Sequence, residues 1–298
     1  MWLPGHSRIR HFAPFLLAVA VLALGQGAVA QAEKLTPQEL VRETIRHEIT
    51  SDTDRTQSYM FRSRKETARG SQTKLMVETR DAMAGMLVAI NDQPLTPEQR
   101  QAEAAHLQYI SSHPEEIARK QRQEKDDADR VARILRAMPD AFLYEPDGTE
   151  QGKEGVGKPG EELVRLKFRP NPKYNPPTRV EQVLTGMQGV IRIDARHQRL
   201  ANIDGTLFRD VGFGWGILGH LDRGGHFQVE QGTLDDEHWT MSRISLEFTG
   251  KILLFRNIAF KSTETFSDFH PVSPNLTFAQ GASLLQQQSE AREHNGGK

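Results

Sequence analysis

His220, His226 and His238, the last preceded by Asp235, Asp236 and Glu237, are the closest this chain comes to a metal-ligand set. Imidazoles and carboxylates hold zinc or iron where three or four converge, as in a helical H-E-x-x-H or a two-histidine-one-carboxylate set. Neither spacing occurs here. His226 and His238 fall on separate strands or turns, so these residues read as loop or surface groups, with Asp235-Asp236 shaping a turn. Gly214-Trp215-Gly216-Ile217-Leu218-Gly219 matches G-x-G-x-x-G. The dinucleotide fingerprint needs that pattern between a strand and a helix. Here it lies in a strand-rich region, and Asp222-Arg223-Gly224-Gly225 stops any helix at once. The glycines read instead as a tight loop, a flap carrying Phe213 and Trp215 at the mouth of a cavity. Nucleophilic chemistry has no candidate: there is no cysteine, no G-x-S-x-G, and no serine at a defensible distance from a histidine or acid. The expectation is no catalytic residue, no metal, no cofactor and no enzymatic activity, with a hydrolase of unrecognised type as the remaining catalytic reading.

The other residues with something to bind are apolar. Tyr59, Phe61, Met86, Val88, Ile90, Phe142, Tyr144, Val164, Leu166 and Phe168 are expected to line one side of a curved sheet. One reading makes them core beneath helices. The other leaves an apolar cavity for an acyl chain, since such pockets are mostly apolar with few polar anchors. Methionines at 60, 76, 83, 86, 187 and 241 suit packing around variable tails. The ligand-binding set expected from the second reading is Tyr59, Phe61, Met86, Val88, Val164, Leu166 and Phe168, with Phe213 and Trp215 on the loop.

These residues need elements to hold them. Thr36-Pro37-Gln38-Glu39 is a capping box, and Leu40, Val41, Ile45 and Ile49 follow at helical spacing. From Ser58 the period becomes two, and three runs to Ile90 predict an antiparallel meander. A second proline-initiated helix starts at Thr96-Pro97, breaks at Ser112-His113-Pro114 and resumes to about Met138. Its second half is dense in charge, the pattern of a hairpin laid against a sheet with a solvated outer face. Strands return from Ala141, joined by a flexible connection over Asp147–Gly160 and a short helical piece at Val180–Leu184. A phase slip between Trp239/Met241 and Ile244/Leu246/Phe248 predicts a β-bulge near Arg243. The count is about ten antiparallel strands without βαβα alternation. The predicted fold class is α+β: a curved antiparallel sheet, an unclosed half β-barrel, covered by an N-terminal helix and the inserted helical hairpin 97–138. Residues 31–280 form its single domain, and residues 281–298 are expected to be a disordered tail.

The first thirty residues bear on location. Arg8 and Arg10 precede the apolar run Phe15–Leu24, and Ala28-Val29-Ala30 has the small-x-small pattern of signal cleavage. The run is too short for a bilayer core, which needs roughly 20 residues. Residues 1–30 are thus expected to be a cleaved signal and the protein to be periplasmic. The full chain has 38 basic and 39 acidic residues, and Arg8 and Arg10 are the only charged side chains in the leader. That balance speaks against nucleic acid and against a polybasic membrane surface, and no transmembrane segment is expected in the mature chain.

The order of leader, capped helix, meander, helical insertion and long C-terminal strands resembles the periplasmic lipoprotein-carrier (LolA/LolB-like) superfamily. Gly189-Val190-Ile191-Arg192-Ile193-Asp194 followed by Leu200-Ala201-Asn202-Ile203 is similar to paired strands there, and the likeness spans about Thr36 to Phe269. It implies an unclosed barrel with helices over an apolar cavity, and non-enzymatic binding of a lipid or an acylated lipoprotein. The alternative is an envelope interaction or sensor protein whose cavity is filled by its own side chains and which docks an envelope protein partner through the charged hairpin.

Overall fold

Threonine side chains start four of the five helices among the described residues, Thr178 capping the shortest of them by accepting from the Val180 amide. Thr36 Oγ1 accepts from the Glu39 amide at 3.2 Å and Glu39 Oε2 from the Thr36 amide at 2.8 Å, the reciprocal box that opens α1 (Pro37–Thr53). The hydrogen bonds from Thr36 hold the Glu39 carboxyl below its ordinary range. Thr96 and Gln99 repeat the device ahead of α2 (Pro97–Ser112), and α3 (Pro114–Ala141) follows after His113. α4 (Arg179–Gln182) runs into a 3-10 turn at Val183–Gly186. Thr277 and Gln280 form the third box, at the start of α5 (Phe278–Gly296). The tail expected to be disordered from residue 281 is therefore helical to Gly296. Phe278, Ala282 and Leu285, spaced for one helix face, are buried and fix it to the sheet.

The computed structural model describes residues 35–53, 57–213, 219–235, 238–252 and 256–296. Its strands are β1 (Ser58–Thr67), β2 (Gly70–Val77), β3 (Ala84–Ile90), β4 (Gln93–Pro94), β5 (Phe142–Gln151), β6 (Glu162–Pro170), β7 (Met187–Asp194), β8 (Arg199–Leu207), β9 (Val211–Phe213), β10 (Gly219–Leu221), β11 (His226–Thr233), β12 (Trp239–Ile252) and β13 (Arg256–Val272). They make one open antiparallel sheet in the order β4-β3-β2-β1-β13-β12-β11-β8-β7-β6-β5, with β10 and β9 branching from β12. The excess over the ten expected comes from β4, β9 and β10, which are only two or three residues long. Proline marks both edges: Pro94 ends β4, and Pro146 sits beside a bulge in β5. The bulge expected near Arg243 is present, since Arg243 faces Glu230 but Met241 faces Gln231, leaving Ser242 extra.

The connection 152–160, expected to be flexible, is docked on the sheet. The Gly157 amide donates to Gln231 O at 2.7 Å and the Ser242 hydroxyl to Gly155 O at 2.5 Å. Val156 is thereby buried against Leu163, Ala201 and Trp239.

Directly opposed residues in an antiparallel ladder share a face. One row therefore runs Leu166, Ile191, Ile203, Val229, Ile244, Glu264, Lys65 across seven strands. The next runs Tyr144, Phe168, Gly189, Gly205, Phe227, Leu246, Ser262, Thr67. Alternation along β1 puts Tyr59 and Phe61 on this same side, the Ile191 face. Met60, Val77 and Ala84 form a row on the other side, and Leu75 with Met86 lies beside it.

Two cores follow from that division. Over β5–β8, α1 and the end of α3 cover the Ile191 face. Over β1–β3, α2 and α5 cover the opposite, Met86 face. α3 reaches both, through Ile117 in the second core and Ile134, Leu135 and Met138 in the first. Its 28 residues span about 42 Å. A right-handed twist of roughly 20° per strand turns opposite faces toward one side over eleven strands, which lets a single helix join them. Between its anchored ends α3 is exposed, as the charge pattern predicts; Val131 is 60% exposed.

Tyr144 locks the α3–β5 junction. Its hydroxyl donates to Met138 O at 3.0 Å, and burial pushes its pKa above the ordinary tyrosine value. Tyr144→Phe is expected to cost about 1 kcal/mol at neutral pH. A raised folded-state pKa gives stability that is complete below about pH 10 and declines as pH rises beyond it. The variant should therefore lose less stability than the wild type between pH 9 and 11, measured by urea unfolding at each pH.

Candidate binding face

On the Ile191 face the helices stop at β8. Beyond it, over β11, β12, β13 and β1, the apolar side chains continue: Phe227, Val229, Ile244, Leu246, Phe248, Phe266 and Phe269 are half-buried. The helices seat on β2, β3, β5, β8 and β9, and among the described residues none makes an extended contact with β11, β12, β13 or β1, although Phe227 and Phe248 pack against the margin of the first core. Four strands give it a width of roughly 15 Å, and the run from Tyr59 or Met241 to Phe248 gives a length of about 25 Å. It is an open strip, not an enclosed cavity.

The aromatic residues at one end of the strip fix each other. Phe61 stacks on Phe269 with ring centroids 5.1 Å apart and meets Phe266 edge-on at 6.1 Å; Tyr59 meets Phe269 at 6.3 Å and His238 at 5.9 Å. A bulge in β13 opposite Phe61 carries Asp268 at φ 54°, and this extra residue is what turns Phe269 back onto the same face. In the middle, Gly205 has no side chain because the Phe227 ring occupies that space: a Cβ there would lie 2.1 Å from the ring. Polar groups interrupt the strip on β13 and β1, where Ser262, Glu264, Ser63, Lys65 and Thr67 share the face. Glu264 accepts from the Ser63 hydroxyl and lies 3.8 Å from Lys65.

The structure sorts the sequence-predicted residues into three groups. Tyr59 and Phe61 lie on the strip, Phe61 being 8% exposed within its aromatic cluster. Leu166 and Phe168 share that face, but α1 and α3 bury them, with Val164 partly buried beside them, so the protein's own side chains fill this half. Met86 and Val88 do not join the others. Their strand pairs with β2 so that they face Met60, Leu75 and Val77 beneath α2 and α5, on the opposite side of the sheet. The expected single wall is thus two walls. Phe213 ends β9 and packs at the margin of the first core, tied there by Gln182 Nε2 donating to Gly212 O at 2.7 Å. Trp215 lies outside the described residues.

The histidines separate in the same way. His220 pairs with Asp222 at 3.1 Å, His226 with Asp204 at 3.0 Å and His238 with Asp235 at 2.8 Å. Among the described residues no group of three or more histidines and carboxylates converges on one point.

The strip residues that the sequence reading did not select are Phe227, Val229, Ile244, Leu246, Phe248, Phe266 and Phe269. Their alternation was legible; their neighbours were not, because the β1–β13 pairing joins residues about 200 positions apart. Two grooves lie elsewhere. One of about 390 Å³ sits between Lys167, Arg169, Gln188 and Thr206, and one of about 460 Å³ lies between α5 and the end of β13.

Comparison with protein-family models, with curated proteins and with solved structures finds no match. Among the described residues no helix is long and apolar enough to cross a membrane.

Proposed function

We propose that this is a non-catalytic periplasmic binding protein that holds a lipid or lipoprotein acyl chain along the strip on β11, β12, β13 and β1. The observation that supports this reading is the continuation of the Ile191 face beyond its helices, apolar on β11 and β12 and at the Phe61, Phe266 and Phe269 end of β13 and β1. Twist accumulated across the sheet bends it toward an unclosed half-barrel with the strip on its inner side, an arrangement similar to that of the lipoprotein-carrier superfamily. An acyl chain of about ten buried methylenes gains roughly 8 kcal/mol at 0.8 kcal/mol each, enough to exceed its ordering cost. The leader-like residues 1–30 support export. The self-filled half over β5–β8 and the exposed middle of α3 favour the second reading, an envelope sensor that docks a partner through α3; native mass spectrometry showing only the bare protein would select it.

Ile244→Glu places a carboxylate in the middle of the strip at a half-buried position. It is expected to weaken binding of a fluorescent fatty acid at least tenfold while leaving the far-ultraviolet circular dichroism unchanged. Equal affinity in the variant and the wild type would remove the acyl-chain reading.

A further inference from the structure

We propose that the ligand of the strip is a single-chain anionic amphiphile with a hydrogen-bond donor at its neck, held by Glu264 at the neck and by Lys65 and Lys74 at the head. This inference rests on the acyl-chain reading and specifies the head that goes with the tail.

The Ile191 face changes polarity between β12 and β13. Ile244 is opposed by Glu264 and Leu246 by Ser262, so two apolar rows meet a polar strand at the same boundary. β1 continues the change, with Lys65 opposite Glu264 and Thr67 opposite Ser262. β2 extends it, with Gln72 opposite Lys65 and Lys74 opposite Ser63. Opposed residues share a face, so all of these groups lie on the side that carries the strip. One row therefore reads Val229, Ile244, Glu264, Lys65, Gln72. A tail laid on Phe227, Val229, Ile244 and Leu246 puts its first polar atoms over β13 and its head over β1 and β2, at about 5 Å per strand.

The charges are ordered along the same line. Glu264 comes first, partly buried, its side chain 28% exposed, and the buried Ser63 hydroxyl donates to its Oε1 at 2.5 Å. Lys65 stands 3.8 Å from Oε2, beyond hydrogen-bond distance, and its side chain is 52% exposed. Lys74 follows on β2 and is exposed. A carboxylate held at the edge of an apolar surface accepts a hydroxyl or amide proton from whatever covers it, because covering it unpaired is costly. Two lysines beyond it suit a phosphate or carboxylate and favour neither a neutral nor a cationic head. The order from tail to tip is thus hydrocarbon, donor, anion. A lysophospholipid, with its glycerol hydroxyl ahead of the phosphate, and an N-acyl amino acid, with its amide ahead of the carboxylate, both have it.

The test uses the chain from Gln31 onward, which keeps the whole compact unit Leu35–Lys298. Probes that share one oleoyl chain are compared by calorimetry below their micelle concentrations: mono-oleoylglycerol has the donor alone, oleate the anion alone, and N-oleoylglycine and oleoyl-lysophosphatidylglycerol have both. The wild type is expected to bind N-oleoylglycine about tenfold more tightly than mono-oleoylglycerol and several-fold more tightly than oleate, the worth of one charge-assisted contact and of one further hydrogen bond. Lys65→Gln with Lys74→Gln should remove the first preference, and Glu264→Ala the second. Each preference is a ratio within one variant, so a general loss of folded protein cancels. The tighter of the two double-function probes identifies the source of the head. Equal affinity of the wild type for the oleoyl probes, or preferences unchanged in the variants, would overturn this inference and leave the acyl-chain reading intact. A wild type that binds none of the probes would remove both.

Discussion

Phe278→Ala is expected to destabilise the protein by about 3–5 kcal/mol, the range for truncating a fully buried aromatic residue. Phe278 is 1% exposed and sits in the smaller core with Leu75, Val77, Ala84, Met86 and Leu107. It is also the first residue of α5, where its amide donates to Asp81 Oδ2 at 2.9 Å. Truncation thus opens a cavity at the point where the helix is tied to the β2–β3 turn. Few residues can compensate. Among the described residues α5 gives this core only Phe278, Ala282 and Leu285 as buried hydrophobic side chains, and Gly281 already brings the backbone close to Thr79. Urea unfolding should show the lower midpoint, and hydrogen exchange should show α5 losing protection before β7 and β8. A loss below about 1 kcal/mol would mean that the helix contributes little to the fold.

The same helix shows where sequence reading reached and where it stopped. Local signals carried well: the Thr36 capping box, the meander, the proline break at His113 and the Ser242 bulge all lie within a few residues of their cause. Thr277-Phe278-Ala279-Gln280 is a capping box of the same kind as Thr96-Pro97-Glu98-Gln99 and would have revealed α5. The glutamine-rich composition after it masked that signal, because glutamine is common both in tails and in helices. The candidate site was legible as a set of alternating apolar strands but not as a surface. Which side Met86 shares with Leu166 depends on every register between β3 and β6, and a single slip reverses it. Those registers are set by the β1–β13 pairing, which closes late in the chain and leaves no local trace. The strip itself became visible only once the helices had been placed, since Ile191 and Ile244 alternate identically in sequence and differ in what covers them.

Arg199→Leu is the second change expected to cost about 3–5 kcal/mol, through an uncompensated charge instead of a cavity. Glu48, near the end of α1, accepts from Arg199 Nε at 2.9 Å, from Arg199 Nη2 at 3.1 Å and from the Leu200 amide at 2.6 Å. The two side chains are only 8% and 14% exposed, so the pair is desolvated and its two parallel hydrogen bonds hold the guanidinium in one plane. Trp239 lies beneath it, 5.5 Å from the guanidinium carbon to the ring centre. Removing Arg199 leaves the Glu48 carboxylate with a single amide donor in a dry interface. Removing both charges should cost less: Glu48→Met with Arg199→Met replaces them with apolar side chains of similar length, and the Leu200 amide is then the one group left without its acceptor. The coupling energy between the two positions should exceed about 1.5 kcal/mol in a double-mutant cycle. Strictly additive losses would show that the pair is not a unit. The position of this pair gives it a further consequence. It pins the last turn of α1 to the start of β8, which is the boundary at which the covered half of the Ile191 face gives way to the open strip. Loosening it should let α1 shift toward β11, so Arg199→Leu is expected to lower fatty-acid affinity as well as stability, although none of its atoms lies on the strip.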